Sequence, residues 1–217
     1  MSCAYRLMGR DRYDDFRLER VHGLPFLVLP SVFNPKLPHT GAFLCAHLDE
    51  RVIVPGANVL DMGTGSGVCA VHAARHARRV VAVDINPAAV RCAAINVALN
   101  GLDQRIEVRH GDLFAPVAGE RFDLIVFNPP FLRGLPRDDR DRAWRSVDVA
   151  ERFADGLADH LAPGGAALVV LSSFGGAPAF LEEFRRQRLA VSVLAARRFL
   201  TERLAILRVK PSGRSAQ

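Results

Sequence analysis

Asn58-Val59-Leu60-Asp61-Met62-Gly63-Thr64-Gly65-Ser66-Gly67 decides how this chain folds. Val59 and Leu60 form an apolar strand that ends at an acid, Asp61. Gly63, Gly65 and Gly67 follow at alternate positions, and an alanine-rich run from Val68 to Ala77 reads as a helix. Strand, glycine turn and helix form the unit by which a parallel sheet offers backbone N–H groups to a nucleoside-like ligand. Glycine suits these positions because a side chain would block close approach or forbid the dihedral angles.

Working outward, the downstream spacing turns a common motif into a specific one. Val80-Val81-Ala82-Val83-Asp84 is a second buried strand ending in an acid, about twenty positions past the first glycine, where a carboxylate can reach a ribose hydroxyl pair. Asn86 and Pro87 read as cap and first residue of a helix to Leu99, closed by Asn100-Gly101. Ile106 to Arg109 is a third strand, followed by Gly111-Asp112-Leu113, and Phe122 to Phe127 is a fourth. That fourth strand ends in Asn128-Pro129-Pro130-Phe131. Two prolines stop a strand ladder and stiffen the loop after it.

Together these segments resemble the class I S-adenosylmethionine-dependent methyltransferases, in the branch that carries an Asn-Pro-Pro-aromatic tetrad. That branch includes the glutamine methyltransferases of release factors, the adenine amino methyltransferases and the "small" ribosomal RNA methyltransferases. The resemblance runs from Val32 to Val209. It implies an α/β fold: a Rossmann-like, doubly wound, seven-stranded, mostly parallel sheet with an antiparallel closing strand, here preceded by an N-terminal hairpin. It further implies S-adenosyl-L-methionine as cofactor, held by Thr40, Asp61, Gly63, Gly65, Gly67, Asp84, Ile85, Asp112, Leu113 and Asn128. In that scheme Asp61 fixes the glycine turn and the cofactor's amino end, and a helix opening near Ser66 faces its carboxylate. Asp84 accepts from the ribose, Ile85 lies along the adenine, and Asp112 accepts from the adenine amine beside Leu113.

The tetrad Asn128, Pro129, Pro130 and Phe131 carries the expected chemistry. The Asn128 side-chain carbonyl and the Pro129 backbone carbonyl can both accept from one substrate –NH2, turning its face toward a sulfonium methyl. Phe131 can stack on a flat amide or base. Catalysis of this kind works mainly by positioning. The acceptor is expected to be a planar amide or exocyclic amine of a protein glutamine or small molecule, with an RNA base as the alternative. A nicotinamide dehydrogenase or a non-catalytic cofactor-binding adaptor would also use the glycine turn, but neither explains the tetrad.

The remaining segments fill in the frame. Phe16 to Val21 and Phe26 to Leu29 alternate as half-buried strands around His22-Gly23-Leu24-Pro25, giving a hairpin within 1–31. The catalytic domain is expected over 32–210, and 211–217 as a disordered tail. Val32 to Gly41 resembles the segment that folds over the cofactor in related families, with His39 where those families place an acid; His39 reads as a solvated loop residue. Ala42 to Glu50, Val149 to Leu161 and Ala179 to Arg188 read as helices. Pro163-Gly164-Gly165 reads as a turn before a strand over Ala166 to Leu171, with closing strands at Val191 to Ala195 and Leu204 to Val209. Arg133 to Asp148 is a charged loop, and Trp144 within it is a candidate contact for a flat substrate.

Composition sets the outer bounds. A chain of 217 residues, 49% hydrophobic and 24% charged, has the make-up of one globular domain. No apolar run is long enough to span a bilayer and the start does not read as a secretory signal, so a cytoplasmic protein is expected. Net charge is +6, and Lys36 and Lys210 are the only lysines, so arginine supplies the excess. Arginine favours phosphate and carboxylate partners, although acids are interleaved with it. Cys3, Cys45, Cys69 and Cys92 stand far apart and read as buried thiols in a reducing compartment. His72 and His76 have helical spacing but no third ligand and read as a solvated helix face. No metal site is expected, and the oligomeric state is not legible.

Overall fold

The computed structural model describes residues 15–35, 40–137, 141–173, 175–200 and 202–212. His39, Cys3, residues 138–140 of the charged loop and the tail beyond 212 lie outside the described residues.

Two short pairs, β1 (Arg17–Val21) with β2 (Leu24–Val28) and β7 (Leu132–Arg133) with β8 (Arg145–Ser146), stand apart from the main sheet. The main sheet holds β3 (Asn58–Met62), β4 (Arg79–Asp84), β5 (Ile106–His110), β6 (Phe122–Phe127), β9 (Leu161–Ser172), β10 (Leu189–Arg198) and β11 (Arg203–Pro211). These seven strands lie in the order β10-β11-β9-β6-β3-β4-β5. All neighbouring pairs are parallel except those made by β11, which runs against both β9 and β10. The doubly wound sheet with one antiparallel strand is therefore present. From β3 the chain steps outward to β4 and β5, then returns to place β6 on the other side of β3. Strand order reverses there, and the carboxyl ends of β3 and β6 diverge to leave a crevice.

The central strands are apolar at nearly every position because both faces are covered. On one face Val59, Val80, Ala82, Leu124 and Val126 pack beneath α1 (Thr40–Cys45) and α2 (Val68–Ala73). Helix α3 (Pro87–Leu99) follows β4 and packs on the same side as α2. On the other face, Leu60, Met62, Val81, Ile125 and Phe127 meet α4 (Val149–His160) and α5 (Ala177–Arg186), where Phe153, Phe180 and Phe184 are fully buried. The start of α3 is as expected: Pro87 opens it and the Asn86 side chain accepts from the Ala88 N–H at 2.9 Å.

Several boundaries differ from the sequence reading. The helix expected to run to Ala77 ends at Ala73, where Arg75 and His76 form tighter turns onto His72 and Ala73. The helix expected over Ala42 to Glu50 is Thr40–Cys45, followed by similar turns from His47 and Leu48. The expected helix over Ala179 to Arg188 starts and ends two residues earlier. Pro163-Gly164-Gly165 lies inside β9 as a bulge: Leu161 pairs with Phe122, and the ladder resumes only with Ala166 opposite Leu124. Both closing strands are longer than expected.

The hairpin of β1 and β2 is present, with its faces reversed. Phe16 and Leu18 are exposed, whereas Glu19 faces inward and accepts from the Asn34 amide at 3.0 Å. The hairpin is tied to α3 by Asn96, which has no exposed surface. Its Oδ1 accepts from the Leu27 N–H at 2.7 Å, and its Nδ2 donates to the Leu27 and Ser66 carbonyls, both at 2.8 Å. One amide thus joins the hairpin, α3 and the glycine turn. His72, expected on a solvated face, is instead buried between His22 and Phe26, because the hairpin covers that side of α2. Burial holds its pKa down at about 4.

Replacing Asn96 with Ala leaves the Leu27 N–H and the Ser66 carbonyl without their side-chain partner, the Leu27 carbonyl keeping only the Cys92 thiol, and is expected to cost about 2–3 kcal/mol. Urea unfolding measures this, and amide exchange at Leu27 is expected to accelerate along with it.

Candidate functional site

A cavity of about 560 Å³ opens at the carboxyl ends of β3, β4, β5 and β6, within the roughly 300–1,000 Å³ range of small-molecule sites. Its floor is the glycine turn. Gly65 adopts φ of 58° with no side-chain room at issue, so the dihedral alone requires glycine there. Gly67 also has positive φ (80°), and a Cβ on it would meet the Ala93 Cα at 3.1 Å, so it sets how closely α3 packs. Gly67 therefore lies behind the cavity rather than on its wall. It is also the N-cap of α2, and no side chain, the Ser66 hydroxyl included, caps that helix. Ser66 uses its backbone carbonyl to accept from Asn96 instead.

Two carboxylates shape this turn. Asp84 is held by two backbone donors, the Gly65 N–H on one oxygen and the Asn86 N–H on the other, each at 2.8 Å. Asp61 is buried beneath the turn, and its Oδ2 accepts from Thr64 Oγ1 at 2.7 Å and the Ala70 N–H at 2.9 Å. Burial raises the pKa of both. For Asp61 it reaches about 7, with the two hydrogen bonds opposing the rise and the charge of Asp84 adding to it.

At the far wall, β6 delivers the tetrad. Asn128, Pro129, Pro130 and Phe131 all line the cavity. The Asn128 Nδ2 donates to Thr40 Oγ1 at 3.3 Å, which fixes the amide's orientation. Its Oδ1 is buried and has no hydrogen-bond partner among the described residues. Buried carbonyl oxygens are nearly always satisfied, so an orphan bordering a cavity marks a place for an outside donor. Behind Phe131 the pairing of β7 with β8 braces the chain: the Leu132 N–H donates to the Trp144 carbonyl at 2.7 Å and the Gly134 N–H to the Ser146 carbonyl at 3.0 Å.

Of the residues singled out in the sequence, Asp61, Gly63, Gly65, Asp84, Ile85, Asp112, Leu113, Asn128, Pro129, Pro130 and Phe131 line one cavity. Thr40 does not line it. Thr40 is fully buried and acts through the Asn128 amide. Trp144 does not line it either; its ring packs at 4.8 Å on Phe33, which does. Asp112 is not free as expected: one oxygen accepts from Arg152 at 2.7 Å. Sequence reasoning missed Arg152 and Ser31, which also line the wall. Arg152 sits on α4, one turn into an unremarkable amphipathic pattern, and Ser31 has the positive φ (65°) that no local sequence signal announces. Ser31 is held in place by the Asn86 amide, which donates to its carbonyl at 3.2 Å.

Cys45, Cys69 and Cys92 are buried free thiols. Although far apart in sequence, Cys45 and Cys69 bring their sulfurs to 3.4 Å across the α1–α2 seam. No cluster of three or more potential metal ligands occurs among the described residues. Among the same residues no helix is long and apolar enough to cross a membrane.

Known proteins are similar to this chain in sequence and fold. The methyltransferase small domain family model matches residues 23–196. The ribosomal protein L11 methyltransferase of Pelotomaculum thermopropionicum is 38% identical over 166 residues, covering 76% of this chain and 48% of that protein. The ribosomal protein uL3 glutamine methyltransferase of Bradyrhizobium diazoefficiens is 36% identical over 169 residues, covering 67% and 52%. The chain thus spans about half the length of these relatives. Among solved structures, the N2 methyltransferase of T. thermophilus 16S rRNA, in complex with AdoMet and guanosine, superposes with a TM-score of 0.69 at 28% identity. That match covers 91% of this chain and 50% of the other. With most of its length matched by the family model, and with the glycine turn and tetrad facing one cavity, the chain belongs to the methyltransferase small domain family.

Proposed function

We propose that this chain is an S-adenosylmethionine-dependent N-methyltransferase acting on a planar amide or exocyclic amine. The observation that carries the reading is the buried, unpartnered Oδ1 of Asn128, held in orientation by Thr40. An incoming –NH2 supplies the missing donor, and a hydrogen bond to a buried carbonyl favours amines over groups lacking an N–H. A nicotinamide dehydrogenase offers no use for this oxygen.

The residues present fit the cofactor. Each Asp84 oxygen keeps a lone pair beyond its backbone bond for a ribose hydroxyl. Ile85 and Leu113 provide apolar wall for an adenine, and Asp112 retains one oxygen for its amine. When bound, S-adenosylmethionine supplies a methyl group on a sulfonium, already a good leaving group. The protein's part is then to orient the acceptor. Asn128 Oδ1 draws one N–H toward itself, the rigid prolines hold the loop, and Phe131 offers a flat apolar surface. The acceptor nitrogen so held by Asn128 would take the methyl from the sulfonium, whose sulfur leaves with the electron pair of the broken bond, and would pass its proton to water. No strong base is needed beside it.

Asn128→Ala is expected to bind S-adenosylhomocysteine within about twofold of the parent while slowing methyl transfer by about 100-fold or more, the scale of losing a preorganised polar contact. Labelled-methyl transfer to separated protein, RNA and metabolite pools reads the rate and identifies the acceptor. Near-parental turnover in the variant would sink the mechanism.

Asp61 makes a second test. With a folded pKa near 7 and an unfolded value near 3.8, the folded state holds the extra proton between these limits. Stability without cofactor therefore falls as pH rises from about 4 to about 7. Asp61→Asn is expected to flatten that decline in urea-unfolding series. A cofactor ammonium placed near Asp61 favours the carboxylate, so S-adenosylhomocysteine binding near pH 7 is expected to release protons. Calorimetry in buffers of different ionisation enthalpy measures the release.

A further inference from the structure

The tip between β10 and β11 gathers more positive charge than it offsets. The register sets Arg198 directly opposite Arg203. Like charges facing each other across an antiparallel pair repel, and among the described residues neither arginine has a carboxylate partner. Arg197 beside them stacks its guanidinium over the Phe199 ring at 5.1 Å. Among the described residues lining this cleft the acid is Glu202, which accepts from the Ser172 hydroxyl, so three guanidinium groups stand around one carboxylate. Arginines elsewhere in the sheet are treated differently. Arg79 and Arg109, toward the β4–β5 edge, share Glu107 and Glu120 in a closed ion-pair network.

The tip also lies on the catalytic edge. Strand β9 is parallel to β6, so Ser172 and the end of β6 emerge at the same edge of the sheet. The Ser173 N–H donates to the Arg203 carbonyl at 2.9 Å, and the Ser173 hydroxyl accepts from the Arg203 N–H at 3.0 Å. Only a few residues on, Gly175 and Gly176 pack against Phe131, so closely that a Cβ on Gly175 would stand 2.6 Å from the Phe131 carbonyl oxygen. Ser173 on one side and Gly175 and Gly176 on the other thus set the arginine tip and the tetrad along the same edge of the sheet.

We propose that Arg197, Arg198 and Arg203 form a phosphate-binding subsite that grips the backbone of a single-stranded RNA acceptor while one of its bases enters the tetrad pocket. A phosphodiester placed between Arg198 and Arg203 converts the cross-strand repulsion into attraction, and guanidinium forks match phosphate oxygens. Tip and tetrad stand together as RNA strand grip and base pocket. The proposal rests on the methyltransferase reading for what happens at the base, but the grip itself is tested without turnover.

The test measures binding of a fluorescein-labelled oligouridylate by anisotropy across a salt series. Substituting Arg197→Gln, Arg198→Gln and Arg203→Gln together is expected to weaken binding by about tenfold or more. The slope of log affinity against log salt is expected to become shallower by roughly 0.7 to 1.4, at about 0.7 for each of the one or two phosphates of a single strand that the variant no longer neutralises. S-adenosylhomocysteine affinity is expected to stay at the parental value and the melting temperature not to fall, because all three side chains are exposed and the substitution relieves the Arg198–Arg203 repulsion. A variant carrying lysine at the same three positions is expected to restore most of the salt slope. Failure of the parent to bind the oligomer, or an unchanged slope in the glutamine variant, would overturn the proposal. So would equal binding of polyglutamate with the same loss on substitution, which would point to an acidic protein. Loss of S-adenosylhomocysteine binding by the parent would instead strike the cofactor reading and leave the grip standing.

Discussion

The site depends on one carboxylate, Asp84, closing a gap between two pieces of backbone. One of its oxygens holds the Gly65 N–H and the other the Asn86 N–H. The first bond draws the glycine turn across the end of β4, and the second sets the start of α3, whose Asn86 cap then fixes Ser31. Turn, helix and cavity wall are thereby referred to a single side chain. The strand end puts that side chain there: Asp84 is the last residue of a buried strand, and its position follows from the ladder itself.

The opposite wall follows a different logic. Asp84 finds donors for both of its oxygens within the protein, whereas Asn128 is satisfied on one side only. Thr40 occupies its donor and leaves its acceptor open. A wholly satisfied amide would be inert, and an unanchored one would lose its direction. The arrangement costs folding energy in the absence of an acceptor, as strain and unmet polarity at functional sites commonly do. Asp61 shows the same tension, since burial pushes it toward its neutral form while the turn's donors pull it toward the charged one.

Much of this was legible in the sequence where the local chemistry has few solutions. Glycines with positive φ, strands ending in acids and a strand stopped by two prolines admit little else, and the order of these segments marked out the doubly wound sheet. Other features depended on contacts between distant parts of the chain. Phe16 and Leu18 suggested the buried face of β1, but the inward face is the one Asn34 can reach. The alanine-rich α2 has no contrasting stripe to show which side the hairpin covers, so His72 read as solvated. Pro163-Gly164-Gly165 read as a turn because a bulge of this size and a turn use the same residues. Arg152 reached the site from a helix whose local pattern only called for amphipathicity.

The paired sulfurs of Cys45 and Cys69 seam the cavity floor to the helix that begins at Thr40. The contact with Cys45, together with burial, holds the Cys69 thiol well above its usual range, so it is protonated and unreactive while the seam is shut. Cys69 borders the cavity, and Cys45 sits at the end of the short helix that begins at Thr40. That contact couples the helix carrying Thr40 to the helix that follows the glycine turn, so the anchor of the asparagine amide and the floor of the cavity are held in one register by two sulfurs.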